Sequence, residues 1–299
     1  MKNKGYVYQN RITAVDAKRG VLEFYTQNYP RFSRETWANR IQSGQIFRNR
    51  EAVNINDLLQ PGDILEYRRP SWEEPEVPTK FGILFEDAHL LIVNKPAGLP
   101  VLPGDVYLEN TLLTLVRKRI SPKLSPIHRL DRSTSGAVVF AKTVASRRHL
   151  SEAIQKGEIL KTYLAVATGN AMPNSFTVSA PIGTLPHPIS GMVAAVTADG
   201  RPSETRIRVV RRYEGQSLLM TFLKTGRPHQ IRIHLAEAGF PLVGEQFYGS
   251  GGRPRPGAVQ PGKGKFLLHA WRLRLSHPIT GQRLRVTAPL PVSWSGGWE

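Results

Sequence analysis

The sequence predicts an α+β protein: a large domain on a mixed, mostly antiparallel sheet, preceded by a small α+β domain. Three observations predict it. Strand-like apolar runs in the large domain do not alternate regularly with helical segments, and no Gly-rich phosphate loop follows them; this argues against a doubly wound nucleotide-binding sheet. Arg206, Arg208 and Arg211 stand among branched apolar neighbours, the pattern of a sheet with one wet face. An acidic, proline-rich stretch from Pro70 to Pro78 interrupts a basic background, and its prolines hold it extended, so it reads as a linker. The expected division is a small domain over 1–70, a linker over 71–79 and a large domain over 80–299.

The small domain opens with strand-like runs at Gly5 to Tyr8 and Gly20 to Tyr25. Ser33 is a fitting N-cap for a helix whose stripe is Trp37, Ala38 and Ile41 and whose stop is Gly44. Gln45 to Phe47 and Ile64 to Tyr67 read as strands, with Pro61-Gly62-Asp63 as a turn. In the large domain the strand candidates are Leu90 to Val93, Ala137 to Ala141, Tyr163 to Thr168, Glu204 to Val210, Leu218 to Leu223 and Leu284 to Thr287. The helix candidates are Thr111 to Arg119, Val144 to Lys156 and Pro228 to Ala238. Pro228 suits a first helical turn, Ile231, Leu235 and Ala238 recur at helical spacing, and Gly239 stops the helix. Gly249 to Lys265 holds Gly, Pro, Arg and Lys with almost no large apolar residue and reads as a mobile surface loop, a solvated insertion more than an RNA contact. No internal repeat is visible.

Composition bounds the function. Forty per cent hydrophobic residues suffice for a core, and 41 basic against 23 acidic residues give a formal charge of +18, which argues for a polyanionic partner. An acidic membrane surface is the other source of such a demand, but no apolar stretch approaches the roughly 20 residues a membrane span needs. Met1-Lys2-Asn3-Lys4 leads into Tyr6-Val7-Tyr8 and not into an apolar signal core, so a cytoplasmic location is the expectation. There is no cysteine, which excludes disulfides and thiolate metal sites.

Two arginine-rich clusters carry the chemistry. In His128-Arg129-Leu130-Asp131-Arg132-Ser133-Thr134-Ser135-Gly136, one carboxylate stands between two arginines in a loop of small residues. Nearby positive charge favours the ionised form, so Asp131 is a candidate nucleophile or base and not a proton donor. The plain alternative is a surface ion pair of little value. About a hundred residues later, Thr225-Gly226-Arg227-Pro228-His229-Gln230-Ile231-Arg232-Ile233-His234 places Arg227 at a helix entrance and Arg232 one turn in. Gln230 and Arg232 project from faces other than that of Ile231. The plain alternative is a basic amphipathic helix with a solvated face.

Together these segments resemble the RluA family of RNA pseudouridine synthases, from about Pro78 to about Pro291. Leu91 to Val101, with Asn94-Lys95-Pro96, is similar to the family's first motif; His128 to Arg132 with Thr134-Ser135-Gly136 is similar to its catalytic motif. Lys161-Thr162-Tyr163-Leu164-Ala165, Thr225 to His234, Gly239 to Gly244 with Tyr248-Gly249, Leu268-His269-Ala270 and Ala288 to Pro291 follow in order. The sequence departs from the pattern at Ser133, where many relatives are acidic, and at Glu245, where aspartate is usual; neither departure touches the nucleophile position. Residues around 31–50 resemble a small S4 RNA-binding domain, although Arg48-Asn49-Arg50-Glu51 stands where an Asn-Gly turn is usual. Arg31, Arg34, Arg40, Arg48 and Arg50 cluster there within reach of phosphates.

The resemblance implies a pseudouridine synthase fold and isomerisation of uridine in structured RNA, ribosomal RNA in preference to transfer RNA. It implies Asp131 as nucleophile, Arg232 as its charge partner in a bidentate pair, and Tyr163 as the ring that packs on uracil and takes part in proton removal at C5. Arg129 would displace the base, His128 support the loop, Ile231 wall the pocket, and Arg227, Arg34 and Arg40 contact RNA. The target base must leave its stack to react. No cofactor is expected for a redox-neutral isomerisation. His229 and His234 do not share a helix face and no carboxylate joins them, so no metal is expected. A monomer is expected. Two functions from different classes stand: an active synthase, or a silent RNA-binding or ribosome-assembly protein of the same fold. The intact Asp131, Tyr163 and Arg232 favour the first, because a carboxylate repels RNA unless it has a task. A glycosidase reading is weak, since no second acid stands beside Asp131.

Overall fold

Residues 90–95 and 135–141 are buried along their whole length or nearly so, and this follows from their place as interior strands of a sheet covered on both faces. The computed structural model describes residues 2–30, 32–258, 262, 264–291 and 294. The chain divides into two compact units, Met1–Glu74 with Pro188–Gly191, and Pro75–His187 with Met192–Glu299.

The first unit contains β1 (Tyr6–Arg11), α1 (Val21–Asn28), α2 (Arg34–Gln42), β2 (Ile46–Arg48), β3 (Glu51–Ala52) and β4 (Ile64–Arg69), with the antiparallel sheet ordered β1-β4-β2-β3. The run from Gly20 to Tyr25, expected as a strand, is helical. Its buried residues Val21, Leu22, Phe24 and Tyr25 fall at i, i+1, i+3 and i+4, which a helix gathers onto one face and a strand splits across two. Ser33 caps α2 as expected, its hydroxyl accepting from Thr36 N at 3.1 Å, and Trp37 and Ile41 are buried in the unit's core. The β2–β3 hairpin turns through Asn49 and Arg50, both left-handed at φ 51° and 79°. That is the two-residue geometry Asn-Gly usually fills. Asn49 is anchored by bonds to Asp63 and to the Ile64 N–H, at 2.7 and 2.9 Å. The first half of the expected linker is not free chain: Glu73 bridges to Lys2, and the buried Glu74 accepts from Asn3 Nδ2 at 2.8 Å.

The second unit holds β5 (Gly82–Glu86), β6 (Leu90–Lys95), α3 (Leu112–Arg119), β7 (Ser125–Pro126), β8 (Ser135–Ala141), α4 (Val144–Gln155), β9 (Leu160–Thr168) and β10 (Ser175–Val178). There follow β11 (Ile182–His187), β12 (Gly191–Val196), β13 (Thr205–Tyr213), β14 (Gln216–Leu223), α5 (Gln230–Glu237), β15 (Tyr248–Gly249), β16 (Arg253–Pro254), β17 (Leu268–Ser276) and β18 (Arg283–Thr287). A ten-stranded sheet runs β10-β13-β14-β9-β17-β8-β6-β5, with β18 beside β17 and β7 beside β8. Every pair in it is antiparallel except β8 with β17, so the expected mixed, mostly antiparallel sheet is what forms. On β8, Val138 and Phe140 join one core with Leu112 and Val116 of α3, while Ala137, Val139 and Ala141 join another with Leu150 and Ala153 of α4. Gly136, at φ +110°, sits where β8 meets β17; a Cβ there would overlap the Ala270 backbone.

The predicted strands and helices of this unit are present, with two corrections, and strands β5, β7, β10, β11, β12, β15, β16 and β17 were not predicted. Helix α5 begins at Gln230 and not at Pro228, because His229 is left-handed (φ 56°) and holds the N-cap. Gln230 to Ala236 are all buried, so α5 has no solvated polar face along that stretch. The segment expected as a mobile surface loop is anchored at its start: β15 pairs with β16 around a 3-10 turn, Ser250–Gly252, and Arg255 Nε donates to Tyr248 O at 3.0 Å. Residues 259–261 and 263 of that segment lie outside the described residues, as does Arg31. The central strand β17 was not predicted. Its alternation of Leu273 and Leu275 inward with Arg274 outward is clear, but a register shift between His269 and Arg272 breaks the period upstream.

Candidate active site

Asp131 lies in a tight turn just before β8, its carbonyl accepting from Thr134 N at 3.1 Å. The turn is pinned from beneath. The Arg132 carbonyl accepts from Gly98 N at 2.7 Å and from Lys95 Nζ at 3.1 Å. Lys95 ends β6, is fully buried, and also donates to Pro96 O and Leu99 O at 2.9 and 2.7 Å. Three carbonyls match the three protons of an ammonium. Burial works against that charge and lowers the Lys95 pKa to about 7, with Asp131 opposing the shift and Arg132 adding to it. Ser133 donates its hydroxyl to the Gly264 carbonyl and Ser135 pairs with His269 Nδ1 at 2.8 Å, which accounts for small hydroxylic residues in the loop.

The arginines adjacent to Asp131 in sequence are not its main partners. Arg132 turns away, bonding Tyr107 Oη at 3.0 Å and Gly262 O at 3.1 Å. Arg129 is exposed and acts on Asp131 only through its charge. The carboxylate is held instead from α5: Arg232 Nη1 lies 3.3 Å from Oδ2, and His229 Nε2 lies 3.4 Å from Oδ1. Burial raises the Asp131 pKa, but His229, Arg232 with its hydrogen bond, and Arg129 outweigh it and hold the group below the usual carboxylate range. Burial also pushes His229 below its ordinary value, with Asp131 opposing. At neutral pH His229 is therefore a neutral ring, and Arg232 supplies the permanent charge.

Arg232 is 1% exposed, and its bidentate partner is Glu245, not Asp131. Nε meets Oε2 at 2.6 Å and Nη2 meets Oε1 at 2.8 Å; Oε1 also accepts from Phe247 N and Tyr248 N at 2.9 and 3.1 Å. Phe266 and Tyr248 flank the guanidinium at 4.2 and 5.0 Å. Although burial disfavours its charge, Glu245 and Asp131 raise the Arg232 pKa. The guanidinium is thus fixed by one sealed carboxylate, and its remaining edge serves the second. Glu245, read as a departure that does not touch the nucleophile position, is the anchor behind Arg232.

Tyr163 on β9 is 7% exposed and shares an apolar cluster with Leu130, Ile231 and Phe266. Burial and the Asp131 charge both raise its pKa, so it is a neutral phenol and not a phenolate while Asp131 is ionised. Ile231 is buried in that cluster. His128 Nε2 accepts from Val139 N at 3.2 Å, and burial, with Lys161 adding, keeps the ring neutral, a structural support for the loop. Arg227 bonds Pro202 O at 3.4 Å through Nη2, while its Nε is buried with no hydrogen-bond partner. Arg34 is exposed on α2; Arg40 is not presented as a free cation but stacked over Phe32, Trp37 and Tyr67 at 4.0, 4.4 and 4.9 Å. Both belong to the first unit.

The structure therefore gathers Asp131, Arg232, Tyr163 and Ile231, and adds His229, Glu245, Tyr248 and Lys95. A signal for Glu245 was present in the sequence: an acid amid Leu242, Val243, Phe247 and Tyr248 is rarely buried without a cation. His229 was weighed only as a metal ligand. Among the described residues, no group of three or more His, Cys, Asp or Glu could hold a metal ion.

An ionised carboxylate held by a buried arginine, with a neutral phenol within reach of its charge in a strongly basic chain, is an arrangement suited to carboxylate chemistry on a polyanion. Comparison with known proteins makes that specific. Residues 89–237 match the RNA pseudouridylate synthase family model. The chain is 37% identical over 273 residues to an uncharacterized RNA pseudouridine synthase of Synechocystis sp., covering 91% of this chain and 94% of that protein. It is 39% identical to ribosomal large subunit pseudouridine synthase D of Nitrosomonas europaea, over 74% of this chain and 64% of that protein. Among solved structures it is similar to human RNA pseudouridylate synthase domain containing 1, with a TM-score of 0.58 and 26% identity over 73% of this chain and 87% of that one. The chain belongs to the RNA pseudouridine synthase family, and its reaction is the isomerisation of uridine in RNA.

Proposed function

We propose that the chain modifies a flipped-out uridine of structured RNA, ribosomal RNA in preference to transfer RNA, with Asp131 as the nucleophile. The observation that carries this reading is the contact between Asp131 and Arg232 across 101 residues of sequence. It keeps the carboxylate anionic and directed. Isomerisation breaks the bond from the sugar to N1, turns the uracil and rejoins it at C5. Attack on the base and attack on the sugar both begin from an ionised Asp131. Tyr163 offers its ring to the uracil. Burial, the larger cause, and the Asp131 charge both keep it a neutral phenol, so its part is to pack on the base and place its hydroxyl beside it. The choice of ribosomal RNA is supported by the name of the Nitrosomonas relative, a ribosomal large subunit pseudouridine synthase. The first unit, which we read as an S4-like module, adds phosphate contacts through Arg34 and Arg50, both exposed.

The test is pseudouridine mapping of ribosomal RNA from cells lacking the protein, complemented with wild-type chain or Asp131→Asn. The wild type restores one or more sites and the variant restores none, while binding RNA within a few-fold of wild type. Full restoration by Asp131→Asn contradicts the nucleophile assignment; a lost site in transfer RNA alone contradicts the substrate.

A further inference from the structure

His229 contacts the proposed nucleophile, and the fold places it there at some cost. It is a non-glycine residue at φ 56° and ψ 17°, a conformation that disfavours any Cβ-bearing side chain. It occupies the N-cap of α5 yet makes no capping hydrogen bond with its side chain. Its ring instead spans two polar groups: Nδ1 lies 2.6 Å from Tyr248 Oη, and Nε2 lies 3.4 Å from Asp131 Oδ1. Tyr248 is fully buried.

The tautomer follows from these contacts. If Nδ1 carried the proton, the Nε2 lone pair would face a carboxylate oxygen, lone pair against lone pair. With the phenol donating to Nδ1, the proton resides on Nε2 and points at Oδ1. Every group facing the ring is consistent with this: Asp131 and Arg129 from the loop before β8, Arg232 from α5, and Glu245 and Tyr248 from the segment after it. The two arginines disfavour an imidazolium. The phenol that donates is itself kept protonated by burial.

We propose that His229 is a positioning residue for Asp131, with Tyr248 fixing its tautomer, so that each carboxylate oxygen has one donor: Arg232 on Oδ2 and His229 on Oδ1. This rests on the nucleophile assignment and deepens it. Arg232 alone leaves the carboxylate free to rotate about its Cβ–Cγ bond; a second donor fixes that rotation and so the direction of attack. At 3.4 Å the second contact is longer than a formed hydrogen bond. It shortens when substrate closes the site, as catalytic contacts do.

The experiment has a spectroscopic and a kinetic arm. Nitrogen NMR of the full chain labelled at histidine, with His229→Gln to assign the signal, shows a neutral ring protonated on Nε2; Tyr248→Phe gives a mixture of tautomers. A wild-type ring protonated on Nδ1, or a tautomer indifferent to Tyr248→Phe, overturns the proposal whatever the activity. In single-turnover assays on wild-type target RNA, His229→Ala slows isomerisation by about 10- to 100-fold at unchanged RNA affinity, the size expected for a misdirected reacting group. Its acid limb in the rate–pH profile moves upward, since Asp131 has lost a donor. His229→Gln, whose amide can place an N–H where Nε2–H stood, recovers most of the rate. Equal losses in the Ala and Gln variants, with melting temperatures at the wild-type value, assign His229 to packing on Tyr248 and overturn the proposal. Failure of the broader reading is distinguishable, because it appears as activity in Asp131→Asn and leaves the tautomer result standing.

Discussion

Two arginines in this molecule are enclosed by aromatic rings, and they are tuned in opposite directions. Arg232 sits between Phe266 and Tyr248 with Glu245 and Asp131 on its edges, and its pKa is raised despite burial. Arg40 sits over Phe32, Trp37 and Tyr67 with a buried Nη1 that has no hydrogen-bond partner, and desolvation lowers its pKa, Tyr67 and Tyr8 opposing and Arg69 assisting. Aromatic enclosure desolvates a guanidinium in both cases. What turns desolvation into a device is the carboxylate: with Glu245 sealed behind it, Arg232 presents a fixed positive edge to a second acid, Asp131. Arg40 has rings but no such anchor, and its work is packing in the first unit's core.

The largest effect that can break this comparison lies at Arg232. Arg232→Ala leaves Glu245 buried and unpaired and is expected to cost about 3–5 kcal/mol in chemical denaturation. The double variant Arg232→Met with Glu245→Leu removes both charges; it is expected to recover most of that stability while remaining inactive. A double variant as unstable as the single one would mean that packing, and not the unpaired acid, sets the cost. Arg40→Ala is expected to destabilise by about 1–2 kcal/mol through lost ring contacts. An Arg40 effect as large as that of Arg232 would erase the distinction between the two. The smallest effect is at the hairpin, where Arg50→Gly relieves a left-handed residue and is expected to stabilise by about 0.5–1 kcal/mol, read as a higher melting temperature.

The sequence was most legible where one residue's signal is local. Ser33 before Trp37 and Ile41 and the unbroken apolar run of β8 formed as expected, because a cap or a doubly buried strand needs no distant partner to be recognised. Legibility failed where the decision is made by tertiary neighbours. Val21 to Tyr25 is apolar enough for either element, and only the side from which the core approaches selects the helix. Asp131 was read as ionised by Arg129 and Arg132, its sequence neighbours. Arg132 points instead to Tyr107, Arg129 contributes last, and the larger contributions come from His229 and from Arg232, the partner that the resemblance implied. Glu245 and His229 were visible as residues but not as partners, because each acts through a contact with a residue that sequence distance conceals.

The central claim is that Asp131 is the reacting carboxylate and is kept ionised by the groups around it. Its folded pKa is depressed, so the charged form is present above the ordinary aspartate range and is lost only as pH falls through a lower value. The direct measurement is the single-turnover isomerisation rate of the wild-type chain against pH. The account predicts a rate that holds steady as pH falls through 5 and declines only below the usual carboxylate range of about 4. A half-maximal point at pH 5 or higher, with the protein still folded and RNA still bound, would contradict it.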